Sequence, residues 1–195
     1  MPKPRRYHHG DLRASLIETA FVRLASDPPE GLTLRRIAAD VGVSPMAAYR
    51  HFADLDGLLA AVATAGFEKL SAHLREAEAK LPGARRVEAL GMAYLEFAKA
   101  SPGLYRLMFS RHSDATKGNE DFARAAAAAY GILLDAVRDA LPANRAAETE
   151  ELAAVLWTSV HGTADLVMSQ LIPVGAGPSV TVCERIVAAV ARLID

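Results

Sequence analysis

Apolar residues recur at intervals of three or four along most of this chain, and no segment alternates apolar and polar residues as a half-buried strand does. This spacing places apolar side chains on one face of a helix. Segments rich in proline and glycine separate each helical pattern from the next. We therefore predict an all-α fold. The nine predicted helices cover about residues 11–26, 33–41, 45–52, 54–81, 84–100, 103–110, 119–141, 146–172 and 179–194.

The second and third predicted helices form a closely spaced pair with clear start and stop signals. Thr33 is a good N-cap for the first of them, and Gly42 can adopt the left-handed conformation that ends it. Ser44 can cap the next helix, with Pro45 at its first position, where the missing N–H costs nothing. This pattern predicts a helix-turn-helix over residues 33–52, which makes DNA the first partner to consider.

The outward face of the second helix carries the residues that would meet DNA, since Ala48 and Phe52 point inward. In such motifs this helix enters the major groove. Met46 and Ala47 are suited to thymine methyl groups, and Arg50 could pair with a guanine or hold a phosphate. The alternative is an ordinary helical hairpin in a larger core. The candidate DNA-binding residues of the motif are Thr33, Arg36, Ser44, Pro45, Met46, Ala47, Tyr49, Arg50 and His51.

The same stretch resembles the tetracycline-repressor (TetR) family of bacterial transcriptional regulators. The matching residues are Thr33, Ile37-Ala38, Val41-Gly42-Val43-Ser44, Tyr49-Arg50-His51-Phe52, Asp54 and Leu58-Leu59. The resemblance implies phosphate contacts by Tyr49 and His51, although His51 could instead pack beside Phe52. Residues 1–9 are polar and basic with two prolines, which predicts a flexible arm. The resemblance implies that this arm touches DNA, with Arg5 and Arg6 as the best candidates, and a disordered tail without DNA contact is the alternative. Leu55 stands where the family commonly has a lysine, so other basic residues must supply that charge.

The resemblance further implies two domains, a DNA-binding domain over residues 1–53 and an effector-binding and dimerisation domain over residues 54–195. The implied function is a homodimeric repressor that a small-molecule effector releases from a pseudo-palindromic operator. One alternative is a small-molecule-binding or enzymatic helical protein. Another is a constitutive regulator without an effector.

The composition and the motifs that the sequence lacks argue against several classes of protein. No apolar run reaches the roughly 18 residues of a membrane helix, and the N-terminal sequence lacks the apolar stretch of a secretion signal, so we expect a cytoplasmic protein. The single cysteine, Cys183, excludes an intramolecular disulfide framework and any multi-cysteine metal site. No cofactor motif or metal-ligand spacing is present, so we expect neither cofactor nor metal, and no enzymatic activity.

The net charge of −1 is unusual for a DNA-binding protein until it is divided along the chain. Residues 1–52 hold eight Lys and Arg against five Asp and Glu, a balance of +3, and the rest of the chain carries −4. This asymmetry places the attractive field at the N-terminal end. Because the excess is modest, we expect DNA binding to be strongly salt-sensitive.

The C-terminal half carries a second resemblance, to a TetR subgroup named for a Trp-His-Gly motif. Here the motif is Trp157 followed by His161-Gly162, with 102–109 upstream. In the family this domain holds a cavity for a small apolar or aromatic effector, although most of its aromatic residues could equally be core. The candidate ligand-binding residues are Tyr94, Phe97, Tyr105, Met108, Phe109, Phe122, Tyr130, Trp157, His161 and Asp165.

His161 and Asp165 lie four residues apart on one helix face, so they could be polar groups of a pocket or half of a metal site. A His–Asp pair at a helix or subunit contact is the interpretation we favour. Ser159 lies on a different face, and no catalytic triad is implied. The last two helices are expected to form a four-helix interface with their copies. The candidate interface residues are Leu152, Val155, Leu156, Ser159, Val160, Thr163, Ile186, Val187, Val190 and Leu193.

Overall fold

The computed structural model describes residues 12–24, 31–78, 81–109, 116, 118–171 and 179–194, and these residues form α-helices and short 3-10 helices without a strand. The all-α prediction is confirmed. In the described residues the α-helices are α1 (Leu12–Leu24), α2 (Leu34–Val41), α3 (Pro45–Tyr49), α4 (Leu55–Glu78), α5 (Gly83–Ala100), α6 (Pro102–Phe109), α7 (Glu120–Ala140), α8 (Thr149–Met168) and α9 (Ser179–Ala191).

The predicted caps of α2 and α3 are present. Thr33 Oγ1 accepts a hydrogen bond from the Arg36 amide at 3.2 Å, and Ser44 Oγ accepts one from the Ala47 amide at 3.3 Å. Gly42 has a φ of 83°, which a residue with a Cβ rarely adopts. The turn that sets the angle between α2 and α3 therefore follows from three local residues.

Several helix boundaries differ from the prediction, since α3 ends at Tyr49 instead of residue 52 and α8 ends at Met168 instead of residue 172. Residues 143–148 form a 3-10 helix, and α8 starts only at Thr149, whose hydroxyl donates to the Ala146 carbonyl at 2.8 Å. Pro142 precedes this segment with an extended backbone, which starts a tight turn instead of an α-helix. At the other end of the chain, residues 192–194 continue α9 as a 3-10 helix.

The 24-residue helix α4 joins the two parts of the chain, since it packs on α1 as well as on α5, α6 and α7. Arg86 at the start of α5 fastens this end of the bundle. Its Nε lies 2.9 Å from Glu78 Oε2 and its Nη1 lies 2.7 Å from Asp139 Oδ2, so one guanidinium ties α4, α5 and α7 together. Within the described residues no helix is both long and apolar enough to span a membrane.

Helix α1 also touches α6 directly, at Gly103. A Cβ added to Gly103 would lie 1.9 Å from the carbonyl oxygen of Leu24, so only glycine lets these two backbones meet. Nearby, Lys69 of α4 lies 4.1 Å from the centre of the Phe21 ring and 3.5 Å from Glu18 Oε2 of α1. The N-terminal three-helix unit is therefore held against both α4 and α6.

Candidate nucleic-acid interface and ligand cavity

Helix α3 leaves its polar and larger apolar side chains in solvent. Met46 is 68% exposed and Tyr49 is 46% exposed, whereas Ala48 is fully buried against the core. Arg50 and His51 follow at the exposed end of the helix, while Ala47 is half-buried. Met46 and Tyr49 are thus the large apolar and aromatic side chains that α3 leaves accessible to a partner. The outward and inward sides of α3 thus fall where the sequence pattern placed them.

Some of the basic side chains around this face of α3 are exposed, and others contact neighbouring residues. Arg35 and Arg50 are exposed, and Arg36 lies in the first turn of α2 beside the cap residue Thr33. Arg23 is instead occupied by Asp40, with Nη2 2.7 Å from Oδ1, and Arg13 lies 5.3 Å from the centre of the Phe52 ring. Ser44 and Pro45 are exposed at the start of α3. Arg5 and Arg6 lie outside the described residues.

Leu55, at the position where the family commonly has a lysine, packs against the hydrophobic core. It is preceded by Asp54, whose carboxylate accepts a hydrogen bond from the Gly57 amide at 2.8 Å and so caps α4. The start of α4 therefore offers no cation for a phosphate, and α2 and α3 carry the positive charge of this surface.

In the second domain, the predicted ligand residues gather into one aromatic cluster. The ring of Tyr94 contacts those of Tyr105 and Trp157, with centroids 6.0 and 5.3 Å away. The cluster continues through Phe109, and its ends are Tyr130, 5.5 Å from Trp157, and Phe122, 5.5 Å from Phe67. Met108 and Phe97 are buried on α6 and α5, and Met108 lies against Gly66 of α4.

A group of hydrogen bonds that the sequence did not reveal lies in this cluster. The hydroxyl oxygens of Tyr94 and Tyr105 lie 2.7 and 2.9 Å from Nδ1 of His161. Burial raises the pKa of both tyrosines, so both phenols keep their protons at neutral pH. The two hydroxyls also share a hydrogen bond with each other, so the three groups form one network in which the donor and acceptor roles follow the tautomer of His161. Asp165 Oδ2 lies 3.8 Å from Nε2, too far for a hydrogen bond.

Beside Tyr94 there is an apolar cavity of about 30 Å³. Of the predicted ligand residues, Tyr94 and Trp157 line it. Its other walls were not predicted as ligand residues, because apolar side chains at helical spacing look the same whether they border a cavity or close packing. These other lining residues are Leu74, Val87, Leu90, Gly91, Leu133, Leu156, Val160, Val187 and Val190.

Several of the predicted interface residues face the interior of the chain itself. Leu156, Val160, Val187 and Val190 line the cavity of the chain itself, and Thr163 is buried with its hydroxyl bonded to the Ser159 carbonyl at 2.7 Å. Side chains that pack inside one chain have little accessible surface left to contact a second copy. The half-buried or exposed candidates are Leu152, Val155, Ser159, Ile186, Val190 and Leu193.

The described residues contain no group of three or more His, Cys, Asp or Glu arranged to hold a metal ion. Cys183 is buried, as expected from its apolar neighbours.

Comparison with solved structures finds the same fold over almost the whole chain. A protein of unknown function from Rhodococcus sp. RHA1 is 30% identical, with a TM-score of 0.79 over 98% of this chain and 97% of that one. A regulatory protein of the tetR family from Rhodococcus RHA1 is 17% identical, with a TM-score of 0.66 over 95% and 97%. The ketosteroid transcriptional regulator KstR2 of Mycobacterium tuberculosis is 15% identical, with a TM-score of 0.63 over 96% of both chains.

Family models cover both domains. Residues 16–62, which include the whole helix-turn-helix, match the bacterial regulatory proteins of the tetR family. Residues 87–190, which include most of the aromatic cluster and every residue of the cavity lining except Leu74, match the tetracyclin repressor-like C-terminal domain. Both are domains of non-enzymatic regulators, which agrees with the exposed contact face of α3. This chain is a DNA-binding transcriptional regulator that belongs to the TetR family.

Proposed function

We propose that this regulator is a homodimeric repressor, and that a small apolar molecule bound in the second domain releases it from a pseudo-palindromic operator. One observation supports the proposal: a single chain combines the exposed face of α3 with an apolar cavity that Tyr94 and Trp157 line. Helices α4 and α6 connect the two regions, since each packs on α1.

The proposed DNA contacts divide into two kinds. Tyr49, Arg50 and His51 would hold phosphates, because a phenol, a guanidinium and an imidazole can each donate to a phosphate oxygen. Met46 at the N-terminal end of α3 would approach base edges, where thymine methyl groups offer an apolar partner. Few polar groups point outward, so DNA shape would carry much of the discrimination.

The proposed dimer would use the outward face of α8. Val155 is 39% exposed and Leu166 is 46% exposed, and both lie on the same side of the helix as Gly162. A Cβ at Gly162 would meet no atom within 4 Å, so the position is open to a neighbouring helix. Exposed leucine and valine around a glycine support a helix-to-helix contact with a second copy.

The proposed effector is an apolar molecule with one hydrogen-bonding group, which Tyr94 would bind. At about 30 Å³ the cavity has room for little more than a water molecule. An effector must therefore push the surrounding helices apart. It would then favour a different arrangement of α4 and α6, and it would release DNA only if it bound that arrangement more tightly.

The DNA contact is tested by Tyr49→Ala. We expect the variant to bind an operator fragment, selected from random-sequence DNA, at least about tenfold more weakly, because a hydrogen bond to a charged phosphate is lost in each subunit. Fluorescence anisotropy measures the affinity. Tyr49→Phe is the matched variant, since it removes only the hydroxyl, and it should weaken binding as well. Unchanged affinity of folded Tyr49→Ala would remove Tyr49 from the interface.

The effector is tested by fluorescence of Trp157, which is the only tryptophan of the chain and lines the cavity. We screen aromatic and alicyclic alcohols and ketones, and expect one to shift the Trp157 emission with saturation and to lower operator affinity. Tyr94→Phe should weaken this compound about threefold to tenfold through the lost hydrogen bond. Tyr130→Phe is the control, because Tyr130 touches Trp157 from outside the cavity lining.

A second candidate function is a regulator without an effector, which the small size of the cavity favours. It predicts that no compound in the screen shifts the Trp157 emission, while operator binding by the same protein remains intact. That combination would support the DNA-binding function and contradict the release of DNA by an effector.

A further inference from the structure

A further depression lies between α5, α6, α8 and α9, at other positions along the same α5, α8 and α9 helices that border the cavity. It measures about 540 Å³, within the range of roughly 300–1,000 Å³ that small-molecule sites occupy. Its walls include Met92 and Leu95 of α5 and Val167 and Met168 of α8. This groove is distinct from the cavity beside Trp157, with which it shares no lining residue.

The polar groups of the groove are mostly basic. Lys99 near the end of α5 and Arg106 of α6 both line it and are exposed, and neither forms an ion pair with a described carboxylate. One carboxylate, Glu96, also lines the groove, but its Oε2 lies 3.7 Å from Nε2 of His73 on α4. The groove therefore offers two available cations at the edge of a largely apolar surface.

We propose that this groove binds an amphiphilic carboxylate, with its apolar body on the methionine and leucine side chains and its carboxylate between Lys99 and Arg106. A planar guanidinium can hold a carboxylate with two parallel hydrogen bonds, and an ammonium adds a further charge-assisted one. A flexible apolar chain suits methionine-rich walls, which adapt to irregular shapes. A cationic amphiphile lacks this match.

The groove also reaches the contact between the two domains. Pro102 lines it, and the next residue, Gly103, meets the Leu24 carbonyl of α1. A ligand that draws Arg106 towards Lys99 would act on α6 within one helical turn of that contact.

A cysteine of the chain can report on ligand binding in the groove. Cys183 is the only cysteine; its side chain is mostly buried, and it lines the groove, so we expect labelling to be slow and to proceed from the groove. A ligand in the groove should block the thiol, so we measure the rate at which a disulfide reagent labels Cys183 as decanoate is added, below the concentration at which decanoate self-associates. We expect a saturable fall in the labelling rate without a shift in the Trp157 emission. Removing both cations, as Lys99→Ala with Arg106→Ala, should raise the apparent Kd at least about tenfold through lost charge-assisted hydrogen bonds.

The controls separate the ligand chemistry from general effects. Arg85→Ala removes an exposed cation from α5 outside the groove and should leave the Kd unchanged. Decyltrimethylammonium, with the same chain and the opposite charge, should not protect Cys183.

Three results would overturn the proposal: no protection by decanoate, equal protection by the cationic analogue, or protection only when the molecular mass rises above that of the protein without decanoate. The last would mean that an additional copy of the chain covers the groove. Protection of Cys183 by decanoate tests the groove, and the shift of the Trp157 emission tests the cavity. A negative result for one of these two sites is therefore distinguishable from a negative result for the other.

Discussion

Replacing Met46 with glutamate is expected to weaken operator binding about a hundredfold or more, because a carboxylate would face the phosphates and base acceptors of DNA in both subunits of a dimer. The free energy of unfolding should hardly change. Met46 is 68% exposed, so no core contact is lost, and a negative charge in the first turn of α3 is favourable to the helix. Anisotropy titration and chemical denaturation measure the two quantities on the same sample.

Val22→Glu provides the matched control for this substitution. Val22 is 62% exposed in α1, outside the helix-turn-helix, so the same change of charge occurs in the same domain. We expect only a small loss of affinity from this variant. Equal losses from Val22→Glu and Met46→Glu would show that only the overall charge matters and would remove α3 as the contact helix.

Replacing Gly103 with alanine is expected to lower the free energy of unfolding by about 1–3 kcal/mol, as for other substitutions that overfill a packed contact. The added Cβ would lie 1.9 Å from the Leu24 carbonyl oxygen, and backbone atoms cannot move aside as a flexible side chain can. Helices α1 and α6 must separate, so operator affinity should fall as well. Urea denaturation with anisotropy measures both effects.

Gly131→Ala in α7 is the control for Gly103→Ala. A Cβ at Gly131 would meet no atom within 4 Å, so alanine should maintain or raise the stability through its better helix propensity. Wild-type stability of Gly103→Ala would contradict the close approach of α1 and α6. A lower free energy of unfolding with unchanged operator affinity would support the close contact between α1 and α6 but contradict its effect on DNA binding.

The helix-turn-helix could be predicted from the sequence because its signals are local. Thr33 and Ser44 each cap a helix through an amide three residues away, and Gly42 needs only its own backbone freedom. The burial of Ala48 follows from helical spacing in the same way. Each of these features depends on neighbours within about one helical turn, which the linear pattern contains.

The second domain was harder to predict because its important contacts are distant in sequence. Tyr94 and Tyr105 are 67 and 56 residues from His161, and the sequence carries no sign that the two hydroxyls meet at one nitrogen. Helix α8 presents a different difficulty. Both of its faces carry apolar residues, so helical spacing does not distinguish inward Leu156 and Val160 from outward Val155 and Leu166.

We propose that α3 reads a symmetric DNA site. Recognition of such a site is tested most directly by using the full chain to select bound fragments from random-sequence DNA and then sequencing these fragments. We expect enrichment of two identical half-sites in inverted orientation. Binding to the selected fragment should survive excess unrelated DNA and should weaken at least about tenfold between about 50 and about 200 mM salt. Failure to enrich any sequence, with retained DNA competed equally by unrelated fragments, would contradict this proposal.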